Sequence, residues 1–520
     1  MEGTLWAIIP ALITIILALL FKQVYIALFV GVFTGAMIIA GGNPIVAFEQ
    51  LFKIMSNTLS GSGDGTYNYE HGAILIFILM LGVLVVLMTK SGGTLAMGNW
   101  FTKKVKSRKG ILGVTVAFGS MMFMDDYFCR LATGSVMRPI TDRYRVSRAK
   151  LAYIIGSLSV SVCILVPISS WSSFVTSTIQ QGVETSAFDI YIRSIFCNFY
   201  PVLTIAFIFV TSFLGMDFFG MRKREINAIK TGDVTGGKPP TFNSDDNYQI
   251  SKKGRVFDLL LPILVLIIAS VGFMTYFSVN TGDTNAAISL ACGSTIAVIF
   301  ALILYLPRKI ISLKGFTDSL SEGFKSISDV LIILVLAWTL SDICSALRVD
   351  IFIKTLTSSM GGAKILLPAI MFLIAMATSF STGTSWGTFG IIVPLATPMF
   401  ETGTTLQILA ISAVLSGAVF GDQVSPISDA TILSAATARC DHMDYVKAQM
   451  PLGLMVAGIS FLGFLLGGIT QKIWVGWIAC AVSFILLMVI SYVVQKKKNM
   501  LLPQLKHSDI QEYDKKQELA

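Results

Sequence analysis

Two long apolar segments of this chain are interrupted by the same tripeptide, Pro-Ile-Ser, at Pro167–Ser169 and again at Pro426–Ser428. Proline donates no backbone N–H and forces the preceding residue out of the helical region, so each tripeptide must break the helix that carries it. The surroundings match as well. Upstream of the first break lie Gly134, Pro139 and a polar kink at Asp125-Asp126-Tyr127; upstream of the second lie Gly387, Pro394 and a polar kink at Ser381-Thr382-Gly383-Thr384-Ser385. The spacings are 259 residues for the Pro-Ile-Ser pair, 255 for Pro139/Pro394 and 253 for Gly134/Gly387, close to half of the 520-residue chain. A duplicated half with broken apolar helices in matching places is the sequence pattern of a secondary transporter.

The chain is 54% apolar and 13% charged, with a mean hydropathy of +0.75. A soluble domain carries about twice that charged fraction. Many of the apolar runs are long enough to cross a bilayer. The net charge of +9 collects in loops, which follows from the preference for basic loops on the cytoplasmic side and excludes nucleic acid as the expected partner. Seven scattered cysteines show no CxxC or metal-ligand spacing and read as small hydrophobes. The first apolar run, Leu5–Leu20, has no basic leader or small-residue cleavage site and leads straight into another apolar run, so it reads as a helix rather than a signal peptide.

Expected spans are 5–21, 24–41, 71–89, 151–167, 195–213, 257–277, 286–306, 328–347, 406–421, 450–470 and 473–494. Two further stretches, 110–138 and 363–399, bend at their polar kinks. Two full crossings need about 40 apolar residues, and the first stretch is too short. Its flanks are both basic, with Arg108 and Lys109 on one side and Arg143, Arg145 and Arg148 on the other. It is therefore expected to enter and leave on one face, as a re-entrant hairpin with Asp125 and Asp126 at the tip. Following the charge bias along the chain gives the second half the opposite orientation. The expected fold is all-α and membrane-integral, with about eleven transmembrane helices, two re-entrant hairpins, inverted repeats and helices broken near the midplane. The first repeat spans 1–214 (hairpin 110–138, broken helix 151–175). Residues 215–256 form a cytoplasmic linker, and the second repeat spans 257–470 (hairpin 363–399, broken helix 406–435). Residues 471–520 add one helix and a tail.

An acid inside a membrane segment is costly and marks a functional candidate. Asp125 and Asp126 lead, because carboxylates and freed carbonyls at a hairpin tip suit a small hard cation such as Na⁺. Neighbouring carboxylates also hold a proton, so cation and proton compete for one site; Arg130 is placed to neutralise one of the pair. The second candidate set is GDQVSPISDA, where Asp422 and Asp429 flank Pro426 with Ser425 and Ser428 between them. Supporting oxygens are expected from Ser169, Ser170 and Ser173, facing the first acids, and from Ser381, Thr382, Thr384 and Ser385, facing the second. Asp342 lies deep in span 328–347, with Asp329 nearer its end. Trp171, Trp338 and Trp386 are candidates to line a substrate cavity, while His71, His442 and His507 are expected to be solvated. No P-loop, His-pair metal motif or nucleophile elbow is present. An enzyme is therefore not expected, nor a cofactor, nor any metal beyond transported Na⁺.

The strings FMDDYFCRLATGSVMRPITDRYRVSRAKLAYIIGS (123–157), VPISSWSSF (166–174), SFSTGTSWGTFGIIVPLATP (379–398) and SGAVFGDQVSPISDATILSA (416–435) resemble the NhaC family of Na⁺/H⁺ antiporters, over most of residues 70–470. The resemblance implies a carrier with two inverted repeats and an elevator-like moving unit, and places Asp125, Asp126, Asp422 and Asp429 at the family's acidic signature positions. Cys129-Arg130 departs from the pattern. The expected function is Na⁺/H⁺ antiport in a bacterial inner membrane, with lipid and small ions as partners and a homodimer as a possible assembly. The alternatives are Na⁺- or H⁺-coupled movement of an amino acid or carboxylate and, from another class, an ion channel or membrane sensor.

Overall fold

The computed structural model describes residues 5–21, 23–60, 69–102, 107–180, 186–239, 250–251, 253–281, 285–349, 351–352, 355 and 359–503. Those residues fold into helices and connecting turns, with no strand among them. Ten helical segments are long and apolar enough to cross a membrane, or eleven if the bent pair Val24–Ile39 and Pro44–Leu59 (115°) counts as one. One of the ten is Ala187–Thr231, in which Ala187–Ile195, Phe199–Leu214 and Phe219–Thr231 follow one another.

Eight elements build the centre. The first four are α1 (Arg108–Met121), α2 (Asp126–Arg143), α3 (Arg148–Leu165) and α4 (Ser170–Gln180). Their counterparts are α5 (Leu367–Thr382), α6 (Ser385–Ala396), α7 (Thr405–Val424) and α8 (Asp429–Ala438). The gaps fall where the sequence places the kinks and Pro-Ile-Ser breaks. Val166 before Pro167 (φ −102°, ψ 126°) and Ser425 before Pro426 (φ −69°, ψ 132°) are both extended, as the proline ring demands. Helix then restarts at a side-chain cap: Asp125 accepts from the Phe128 N–H, and Ser428 from the Ala430 N–H. Between α5 and α6 the chain turns through Gly383 in the left-handed region (φ 72°). A Cβ there would also lie 2.9 Å from the Ile427 carbonyl, so only glycine fits.

Packing sorts the helices into two groups. A frame consists of Leu5–Phe21, Val24–Ile39, Pro44–Ser60, Tyr69–Ser91, Phe257–Thr281, Ala286–Tyr305 and Leu313–Ala346. A core consists of α1 to α8 with Phe199–Leu214, Phe219–Thr231, His442–Thr470 and Ile473–Lys497. Each half of the chain gives its first helices to the frame and its later ones to the core. Within the core α2 lies on α8 while α6 lies on α4, so the second arm of each hairpin meets the far part of the other half's broken helix. Burial follows this order. The apolar windows of α3 and α7 are 89% and 94% buried, against 22% for Ile473–Lys497, which puts the broken helices at the centre.

One expectation changes. His71 and His442 are buried, not solvated. His71 stacks on Trp338 (centroids 3.8 Å apart) with Nδ1 2.7 Å from the Thr58 carbonyl, and His442 Nε2 lies 3.1 Å from Thr431 Oγ1. Helix ends carry polar residues, and lateral packing covers these two. His507 lies outside the described residues. The linker region, in turn, contains a helix, Phe219–Thr231, that is tied to the core. Its Glu225 is wholly buried and pairs with the equally buried Arg108 of α1, while its other oxygen accepts the Ser147 N–H at 2.7 Å. Lys150 and Asp217 form a second buried pair at 2.6 Å.

Removing one member of a buried pair strands the other charge and costs about 3–5 kcal/mol. We expect Arg108→Met to lower the thermal midpoint in detergent by several degrees, and Arg108→Met/Glu225→Gln to recover part of that loss. A double variant no more stable than the single one would show that the pair does not clamp α1.

Candidate functional site

The first hairpin tip and the first break meet directly. Ser170 N–H donates to the Met124 carbonyl at 3.0 Å, seating the start of α4 against the tip. Asp125 then has both oxygens engaged: Oδ1 accepts the Phe128 N–H (3.1 Å) and Oδ2 the Ser170 hydroxyl (3.2 Å). Asp126 is held by different donors. Its Oδ2 accepts from Arg130 Nη1 at 2.6 Å, one helical turn along α2, and its Oδ1 accepts from Trp171 Nε1 at 3.1 Å. Asp126 and Arg130 are both buried. Arg130 is therefore the partner of Asp126 rather than of Asp125.

The second tip and break meet in the same manner. Ser425 Oγ donates to the Phe380 carbonyl at 2.6 Å, and Ser379 Oγ to the Ala418 carbonyl at 2.7 Å. Asp422, buried in α7, accepts the Ser385 hydroxyl on Oδ2 (3.0 Å) and the Ser428 hydroxyl on Oδ1 (2.5 Å). Asp429 opens α8 and is exposed; it accepts its own helix's Ala430 N–H at 2.7 Å and the hydroxyl of Tyr127. That last bond crosses between halves, joining the first tip to the second break. Asp126 is within electrostatic range of both Asp422 and Asp429, and Arg130 is within range of Asp422. Four carboxylates and one guanidinium thus converge where the two broken helices and the two tips meet.

The supporting hydroxyls divide. Ser170, Ser385 and Ser428 touch the acids. Ser169 instead donates to the Cys163 carbonyl and accepts the Ser172 N–H, which caps the break. Ser173 lies buried with no hydrogen bond on its hydroxyl. Ser425 braces the tip of the second hairpin, and Thr382 bonds back to the Thr378 carbonyl. Ser381 and Thr384 are half-buried at that tip.

Asp342 lies elsewhere: it accepts from Thr58 of the frame, beside His71 and Trp338. Asp329 is exposed and hydrogen-bonded to Tyr25. Trp171, Trp386 and Phe389 pack edge to face, with centroids 5.4 Å apart around Trp171. Trp171 thus bonds an acid as well as packing against two aromatic rings. Sequence reasoning did not single out Trp171 as the partner of Asp126, nor Tyr127 as the partner of Asp429; the only local signal was the position of Tyr127 beside the acid pair.

A many-spanned helical bundle with acids gathered at paired helix breaks is a secondary transporter. Comparison with known proteins narrows this. Residues 162–469 match the Na⁺/H⁺ antiporter family, a stretch that includes Asp422 and Asp429 but begins after Asp125 and Asp126. The chain belongs to the Na⁺/H⁺ antiporter family. An uncharacterized protein of Haemophilus influenzae is 34% identical over 95% of this chain and 96% of its own length. Shorter matches are to the malate-2H⁺/Na⁺-lactate antiporter of Bacillus subtilis and to NhaC of Alkalihalophilus pseudofirmus. The first is 36% identical over 21% of this chain and 25% of the relative, the second 34% over 19% and 21%. The solved structure of Neisseria gonorrhoeae MtrF aligns over 84% of both chains at 14% identity and a TM-score of 0.41.

Proposed function

We propose that this protein exchanges Na⁺ for H⁺ across a bacterial inner membrane, using Asp125, Asp126, Asp422 and Asp429 as the shared binding groups. One observation carries the reading: acids from both breaks gather about a single arginine inside the most buried part of the chain. Asp125, Asp126 and Asp422 against one guanidinium, with Asp429 at their edge, leave surplus negative charge that a low-dielectric interior does not tolerate. The site is balanced by taking up cations or protons, and a group that accepts either one links the two fluxes. Asp126, already neutralised by Arg130, positions the others; Asp125 and Asp422, bonded only to neutral donors, carry the exchangeable charge. Support for the inverted repeats 1–214 and 257–470, joined by 215–256, comes from the crossed packing of α2 on α8 and α6 on α4. A bacterial inner membrane suits the bacterial origin of the relatives.

The test is transport in proteoliposomes, with an internal pH dye and radiolabelled Na⁺. An imposed Na⁺ gradient should drive an opposing proton movement, and an imposed pH gradient should drive Na⁺ accumulation. Na⁺ flux that leaves internal pH unchanged would remove the coupling and with it the proposal.

A further inference from the structure

Arg130 is out of place in a site that only handles cations. Its side chain is wholly buried, and Nη1 is committed to Asp126 at 2.6 Å. Nε and Nη2, however, are buried with no hydrogen-bond partner. These two nitrogens form the side edge of the guanidinium, where two N–H groups point the same way at the spacing of a carboxylate's oxygens. Leaving two charged donors unsatisfied in a buried site is costly, and the planar fork fits one kind of group best. Asp422 is near enough to interact electrostatically, yet neither nitrogen donates to it; its oxygens accept from Ser385 and Ser428 instead.

We propose that the Nε–Nη2 edge of Arg130 holds the carboxylate of a small organic substrate, and that this substrate binds after the cation. The assignment rests on the exchange reading above and names a second cargo for the same site. The order follows from charge. With Asp125, Asp422 and Asp429 ionised, an incoming anion is repelled; once Na⁺ occupies the site, the field that opposes it falls and the fork is free to act. Trp171, which donates to Asp126, and Trp386, packed edge to face on Trp171, supply aromatic surface for the substrate's apolar part.

The experiment is ligand titration of the purified full-length protein in detergent at one pH, read by tryptophan fluorescence and thermal shift. The probes are lactate, succinate and glutamate, with lactamide and chloride for comparison, each in Na⁺ or in choline. We expect at least one carboxylate to bind in Na⁺ and to bind about tenfold or more weakly in choline, with lactamide and chloride inactive. Arg130→Lys keeps the charge beside Asp126 but loses the fork, and should weaken that carboxylate about tenfold or more, the worth of a charge-assisted pair. If the lysine variant does not fold, the Na⁺/choline and lactate/lactamide comparisons on the native protein decide. A Na⁺-induced shift with no carboxylate binding overturns this inference and leaves the exchange reading standing. So does equal binding of chloride, of lactamide, or of the carboxylate by the lysine variant. Loss of any Na⁺ response overturns the exchange reading itself, and the cation-first order with it.

Discussion

Asp125→Asn and Asp126→Asn should each abolish Na⁺-driven proton movement in proteoliposomes, for different reasons that a second measurement separates. Asparagine at 125 can still accept the Phe128 N–H on its amide oxygen, while its amide N–H can donate to the Ser170 hydroxyl that now turns its lone pair inward, so the tip keeps its shape. What it loses is the charge that binds Na⁺ or a proton. Its thermal midpoint should stay near that of the native protein. Asparagine at 126 leaves Arg130 buried without its carboxylate, at a cost of about 3–5 kcal/mol, so the midpoint should fall as well. Full transport by both variants would reduce the acid pair to a structural role.

At the second break, Asp422→Asn should raise the apparent Na⁺ KM about tenfold or more, with partial rescue at high Na⁺. Asp422 is buried and accepts two hydroxyls, so the amide removes the one buried charge at this break, which is held by neutral donors alone. Asp429→Asn should act more weakly, because Asp429 is exposed and water can replace part of what the carboxylate supplies. Ser385→Ala removes one neutral donor and should cost less than either. Ser428→Ala should cost more than Ser385→Ala, since Ser428 also caps α8, a role worth about 1 kcal/mol. Normal Na⁺ titrations for both acid variants would confine coupling to the first hairpin.

The breaks were legible because proline acts locally: it removes one N–H and constrains one neighbour, whatever surrounds it. The tips were legible for a similar reason, since runs such as Ser381–Ser385 interrupt apolar sequence. Partnership was not. Trp171 reaches Asp126 across 45 residues and Tyr127 reaches Asp429 across 302, and no local pattern encodes which donor arrives at which oxygen. Hydropathy also concealed the length of Leu313–Ala346, whose first turns are polar enough to read as loop. It hid the burial of His71 too, which depends on Trp338 from a distant helix.

The division of the helices into frame and core has a mechanical consequence. The chain passes from one group to the other at three places: between Ser91 and Arg108, between Pro239 and Ile250, and between Ala346 and Gly361. At the middle passage both shores are moored. Val234 accepts the Arg148 N–H at 2.9 Å on the core side, and Ser251 donates to the Lys90 carbonyl at 2.9 Å on the frame side. Each end of that passage is fixed to the body it leaves, so a displacement of core against frame would carry Val234 with α3 and leave Ser251 with Tyr69–Ser91.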